Sequence, residues 1–181
     1  MKCEGEYGDS CGYADTSGEM QVPLKKYAIC FTDTFRRMAI VYDQKQGCIA
    51  INRNQEKLFN VFWFDNGPDY VNEGLFRITE NGKIGFADEQ GNVVLPPKYD
   101  FAYPFNEGLA AFNIGCTFQE DPEGEHTSIV GGKYGFIDKT GKEVIAPQFD
   151  WAMEFANGEA SVKRNDTTYV IDKTGKILRR K

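Results

Sequence analysis

Short runs of apolar residues broken by glycine-containing turns make up most of the chain. Between Lys133 and Asp138 aromatic or aliphatic residues alternate with small or polar ones (Lys-Tyr-Gly-Phe-Ile-Asp). A two-residue period predicts a half-buried strand. Asp138-Lys139-Thr140-Gly141 predicts a turn, because aspartate caps its own backbone and glycine accepts positive φ. Glu143–Phe149 predicts a second strand, with Pro147 at an edge or a bulge since it has no N–H to donate. Ala160–Arg164, after the Asn157-Gly158 turn, predicts a third. Residues 150–156 read as a loop or one helical turn. Leu58-Phe59-Asn60-Val61-Phe62-Trp63-Phe64 is apolar on both faces, which predicts a strand buried on two sides, or else an exposed aromatic platform.

The same pattern recurs along the chain. Gly82 to Asp88 matches Gly132 to Asp138, and Gly91, Pro97, Tyr99-Asp100, Phe105 and Gly108 answer Gly141, Pro147, Phe149-Asp150, Phe155 and Gly158 at constant offsets. Weaker copies start at Gly12-Tyr13-Ala14-Asp15, at Gly47-Cys48-Ile49-Ala50 and at Tyr169-Val170-Ile171-Asp172. In the second of these, Ala50 stands where the aspartate would be. Units fall at about 1–45, 46–80, 81–114 and 131–164, with a partial unit over 165–181 and an insertion of ~16 residues at 115–130, longer than an ordinary connection. One unit cannot cover its own apolar face. Phe136, Ile145, Phe149, Phe155 and Val162 are therefore expected to meet counterparts Phe86, Val94, Tyr99, Phe105 and Phe112 across stacked neighbours.

These residues resemble the WG-repeat (KWG-repeat) family of bacterial proteins, clearly in Gly82–Phe112 and Gly132–Val162 and partially elsewhere. The tryptophan that gives the family its name is replaced by Ile84 and Tyr134. The resemblance implies a β-rich repeat array and brings no catalytic residue with it.

Composition narrows the functional classes. The chain has 181 residues, enough for one real core, and 14% are aromatic, with 19 glycines. A net charge of −6 argues against nucleic-acid binding, which needs clustered Lys and Arg. No apolar run approaches the roughly 20 residues of a membrane-spanning helix. The N-terminus does not read as a signal peptide, so a cytoplasmic location is expected, with an exported form as the alternative. Five cysteines (Cys3, Cys11, Cys30, Cys48, Cys116) leave at least one unpaired. Reduced thiols are expected; a Cys3–Cys11 bridge belongs to the exported alternative.

Several short motifs resemble chemistry. Asp138-Lys139-Thr140-Gly141 and Asp172-Lys173-Thr174-Gly175 spell the start of the P-type pump phosphorylation motif, and Asp15-Thr16-Ser17-Gly18 resembles an aspartic-protease loop. All three occupy the turn slot of the repeat, which favours a turn. Cys116 and His126, the sole histidine, could in principle make a thiolate and its base, but both sit in the insertion, which reads as an ordinary solvated loop. Glu120 to Glu125 is acidic but lacks calcium-loop spacing. No cofactor or metal is expected.

The sequence therefore predicts an all-β tandem array of short antiparallel strands and hairpins, propeller-like or solenoid-like. Its expected role is a non-catalytic binding or scaffolding module for a protein or peptide. Trp63, Trp151, His126 and Phe118 are the candidate contact residues, since aromatic anchors dominate interfaces and insertions sit on binding faces. The alternative is a hydrolase of a glycan or peptide, with carboxylates facing one another across a cleft.

Overall fold

A computed structural model describes residues 1–4, 10–120 and 127–181. Among them every regular element is a β-strand. β1 (Lys2–Glu4), β2 (Ser10–Ala14) and β3 (Met20–Tyr27) form the first antiparallel meander. β4 (Ile29–Cys30), β5 (Met38–Asp43), β6 (Gly47–Asn52) and β7 (Lys57–Val61) form the second. A small hairpin follows, β8 (Trp63–Phe64) with β9 (Gly67–Pro68). β10 (Leu75–Glu80), β11 (Lys83–Asp88) and β12 (Val93–Tyr99) form the third meander; β10 pairs with β7 and merges it with the second. β13 (Phe101–Ala102), β14 (Leu109–Glu120), β15 (Thr127–Asp138) and β16 (Glu143–Phe149) form the fourth. β17 (Trp151–Ala152), β18 (Glu159–Arg164), β19 (Thr167–Asp172) and β20 (Ile177–Arg180) form the fifth.

The meanders are offset by one strand from the sequence units. The last strand of one unit opens the next sheet: Leu75 pairs with Asp88, Leu109 with Asp138, and Glu159 with Asp172. Two-residue turns make the first and last of these joins, Asn81-Gly82 and Asn165-Asp166, with both residues of each at positive φ. Such turns match the twist of paired strands. The partial unit over 165–181 thus completes a four-stranded sheet with β17 and β18. Residues 150–156 hold β17 and no helical turn. The insertion is also not a simple loop. Residues 115–120 and 127–130 lengthen β14 and β15, with Thr117 paired to Val130 and Phe118 to Ile129.

The recurrent turn is the same in each copy. Oδ1 of Asp15, Asp88, Asp138 and Asp172 accepts the N–H groups two and four residues on, at 2.8–3.1 Å. The glycine N–H three residues on donates to the aspartate carbonyl. The second meander has this turn too, but at Asn52 and not at the Ala50 position expected from sequence. Its Oδ1 accepts from Asn54 and Glu56 at 2.9 and 3.0 Å, and Gln55 (φ 63°) fills the glycine slot. An asparagine side-chain carbonyl caps as a carboxylate does, which hid the match.

Sheets stack face to face, so the central strands are buried on both faces and not on one. Tyr134, Phe136 and Ile137 are all buried, as are Ile84, Phe86 and Ala87. Phe86 packs edge-on against Phe105, and Phe136 repeats this with Phe155. The partner of Ile145 in this equivalence is Leu95, which is buried; Val94 faces outward like Val144. A turn glycine from the following sheet lies over each aliphatic, Gly141 against Leu95 and Gly175 against Ile145. In the fifth meander Glu159 and Arg179 occupy the slots of Leu109 and Ile145, joined by a bidentate ion pair at 2.8 and 2.5 Å.

Cysteines 11 and 30 form a disulfide between β2 and β4, correcting both the expectation of reduced thiols and the Cys3–Cys11 alternative. Cys3 faces Cys11 in the ladder, whereas Cys30 meets Cys11 across the stacking direction, which sequence spacing does not reveal. The bond closes a 19-residue separation and ties the first sheet to the second. Reduction is expected to remove about 3 kcal/mol of stability, from the loop-closure entropy of a segment this long. Thermal unfolding with and without dithiothreitol measures this; coincident transitions would refute it.

Candidate functional site

After β7 the chain should cross to the next strand, as it does through Tyr103 and Met153 in later sheets, whose N–H groups donate to Ala111 and Ser161. Phe62 makes the equivalent bond to Arg77 at 3.0 Å, and Asp69 N–H returns to the Phe62 carbonyl at 2.9 Å. Residues 63–68 between these bonds are an excursion that carries the β8–β9 hairpin outward. Trp63 is 42% exposed and Phe64 48%. The run Leu58–Phe64 is therefore not buried on two faces. Phe59 and Val61 point in, Leu58 is exposed, and beyond Phe62 the chain leaves the sheet. Trp63 rests edge-on against Tyr42 and Phe31, with centroids at 5.4 and 6.0 Å, and Phe64 against Tyr70 at 6.3 Å.

A buried ion pair fixes the base of the hairpin. Asp69 Oδ2 accepts from the Arg77 N–H at 2.8 Å and from Nε at 3.0 Å, and Oδ1 accepts from Nη2 at 2.6 Å. Arg77 Nη1 donates to the Ala102 carbonyl at 3.1 Å. The guanidinium lies 4.2 Å from the Phe62 ring centre and 5.5 Å from that of Phe64. Arg77 is 3% exposed and Asp69 5%. Sequence reasoning missed both. The available signal was Arg77 itself, a charge in the column that holds Ala111 and Ser161. Its field reaches Tyr103 and Glu154. Burial pushes both of these groups up; the charge of Glu154 adds to the rise of Tyr103, and Arg77 opposes both shifts.

The sequence-predicted residues lie on different elements. Trp63 is on β8, Phe118 on the lengthened part of β14, and Trp151 on β17. Phe118 is 53% exposed, 6.4 Å from the Phe101 ring, and Trp151 is 38% exposed. His126 and the acidic residues 121–125 lie outside the described residues. Cys116 is buried, and burial, aided by Asp100, raises its thiol, which opposes a thiolate. The turn aspartates are also committed. Asp138 and Asp172 are held below the usual carboxylate range mainly by the Thr140 and Thr174 hydroxyls. Among the described residues no group of three or more His, Cys, Asp or Glu could hold a metal ion.

A second recurrent arrangement joins neighbouring sheets. The Glu73 carboxylate accepts the Gly108 N–H at 3.1 Å and meets Lys139 Nζ at 3.1 Å. Glu107 repeats it with Gly158 at 2.9 Å and Lys173 at 3.2 Å. Both glutamates sit at φ 52°, a conformation that disfavours a side chain. The Gly158 N–H and Lys173 hold Glu107 below its ordinary pKa; at Glu73 the Lys139 and Gly108 bonds outweigh the upward effect of burial. In the fifth sheet, the position is Asn157, which tolerates φ 53° unaided.

Residues 84–115 and 134–167 match the family described as WG containing repeat. These two units are WG repeats. The shared turn, at Asp15, Asn52 and Asp172, and the glutamate contact at Glu73 carry the same arrangement to parts of the chain outside the WG match. No curated protein matches the sequence. Among solved structures, BamB from Moraxella catarrhalis is similar over 91% of this chain and 67% of its own, at 11% identity and a TM-score of 0.30. That likeness is too loose to say anything about a site or partner. In both WG units the residue before the glycine, Ile84 or Tyr134, is buried against the next strand through Tyr99 or Phe149.

Proposed function

We propose that this WG-repeat chain is a non-catalytic binding module for a protein or peptide, and that the β8–β9 hairpin is its contact surface. The observation that carries this is Trp63 and Phe64, each nearly half exposed, standing on a base locked by the Asp69–Arg77 pair. Exposed rings on a rigid base lose little freedom on association, which is what makes aromatic residues strong anchors. A hydrolase reading needs two free carboxylates within roughly 5–10 Å. The aspartate column works against it, since each of those carboxylates is spent on its own turn. The Cys11–Cys30 disulfide supports the exported form over the cytoplasmic one, because oxidising compartments preserve such bonds.

A peptide array probed with wild type and with Trp63→Ala/Phe64→Ala tests the contact surface. Saturable binding to a subset of peptides is expected, weakened about tenfold or more in the variant at unchanged circular dichroism. Equal binding by both proteins, or no saturable binding by wild type, would sink the reading.

A further inference from the structure

The glutamate contact between sheets is missing at one place. By strand register Arg36 and Arg37 occupy the positions of Glu73 and Gly74, because Met38 pairs with Asn52 as Leu75 pairs with Asp88. The residue that would face Arg36 from the next turn, at the Lys139 position, is Glu89. The charges are thus inverted, yet no ion pair forms between them: among the described residues neither Arg36, Arg37 nor Glu89 takes part in a salt bridge or side-chain hydrogen bond. A cavity of about 540 Å³ lies between them, with Arg36, Arg37, Met38, Phe76 and Glu89 all among its walls. The Gly74 N–H, whose counterparts Gly108 and Gly158 each hold a glutamate, has no carboxylate from the preceding sheet.

We infer that this cleft between the second and third meanders receives a carboxylate from outside, on an acidic peptide segment that also carries apolar residues. The inference rests on the binding-module reading and names its ligand class. Two unpaired guanidiniums in a chain of net charge −6 are a local positive site, and charged hydrogen bonds of this kind are among the stronger ones. Met38 and Phe76 supply an apolar floor for a neighbouring ligand side chain. The cleft adjoins the aromatic hairpin through Val71, next to Tyr70. Two arginines do not make the extended basic surface that a nucleic-acid backbone requires.

The test is fluorescence anisotropy with a short fluorescein-labelled peptide of alternating Glu and Leu, beside its Gln and Leu counterpart. The acidic peptide is expected to bind at least about tenfold more tightly than the neutral one, and Arg36→Gln/Arg37→Gln to remove that preference. Arg36→Glu/Arg37→Gly/Glu89→Lys copies the Glu73, Gly74 and Lys139 arrangement into the gap. It is expected to raise the melting temperature while abolishing binding. Equal affinity for the two peptides, full competition by a short single-stranded DNA, or an unchanged preference in the Arg36→Gln/Arg37→Gln variant overturns the inference. If Trp63→Ala/Phe64→Ala still weakens binding in those cases, the module reading survives; if it does not, both fail.

Discussion

Arg77→Met is expected to cost about 3–5 kcal/mol of folding stability, the usual result of leaving one partner of a buried ion pair behind. The stranded Asp69 carboxylate would keep the Arg77 backbone N–H at 2.8 Å but lose both guanidinium bonds. The Ala102 carbonyl would lose its donor. Asp69→Asn alone should cost less, since the amide oxygen still accepts the backbone N–H. Urea unfolding of both single variants and the double variant measures the coupling. A double variant that loses the full sum of the single effects would show that the two side chains act independently. The hairpin should suffer with the pair: in Arg77→Met, Trp63 and Phe64 lose a fixed base, and peptide binding should weaken even where the protein stays folded.

Gly135→Ala should be almost as damaging, at roughly 3 kcal/mol, the upper end of the range for overpacking. A Cβ at Gly135 would lie 2.5 Å from the Ile145 carbonyl oxygen and 2.8 Å from the Pro147 nitrogen. Gly85 faces Leu95, Pro96 and Pro97 in the same way, and Gly12 faces Val22. In each case the neighbouring strand bulges inward over the glycine, and the ladder shifts register twice. The second and fifth meanders carry Ile49 and Tyr169 at this position, and their ladders shift once. For a chain of this size the loss corresponds to a melting temperature lower by on the order of 10 °C. Gly85→Ala should match it. Scanning calorimetry that found either variant as stable as wild type would contradict the bulge-over-glycine account.

Some elements were legible because their causes are local. The Asp138-Lys139-Thr140-Gly141 turn uses a side chain to cap its own backbone, so four residues suffice to announce it. The Asn52 turn escaped notice because its sequence, Asn-Arg-Asn-Gln, shares neither the aspartate nor the glycine, only the geometry. The candidate site was half legible. Trp63 could be picked out as a large aromatic in an unusual run, but the burial expected for that run was wrong. Where a strand ends and an excursion begins depends on which carbonyl takes the Phe62 N–H, and that carbonyl belongs to Arg77.

By itself the sequence determined that the chain is an all-β array of equivalent modules with capped turns, because strand period, glycine and aspartate act over a few residues. Only the tertiary structure decided where one sheet stops and the next starts. A repeat has no intrinsic first strand, and the pairing of Leu109 with Asp138 settles it. The partnership of Cys11 with Cys30, the burial of Arg77 under Phe62, and the unfilled cleft at Arg36 were likewise decided by stacking. These contacts join residues that lie far apart in the chain or on different sheets, and their energies exist only once neighbouring modules meet.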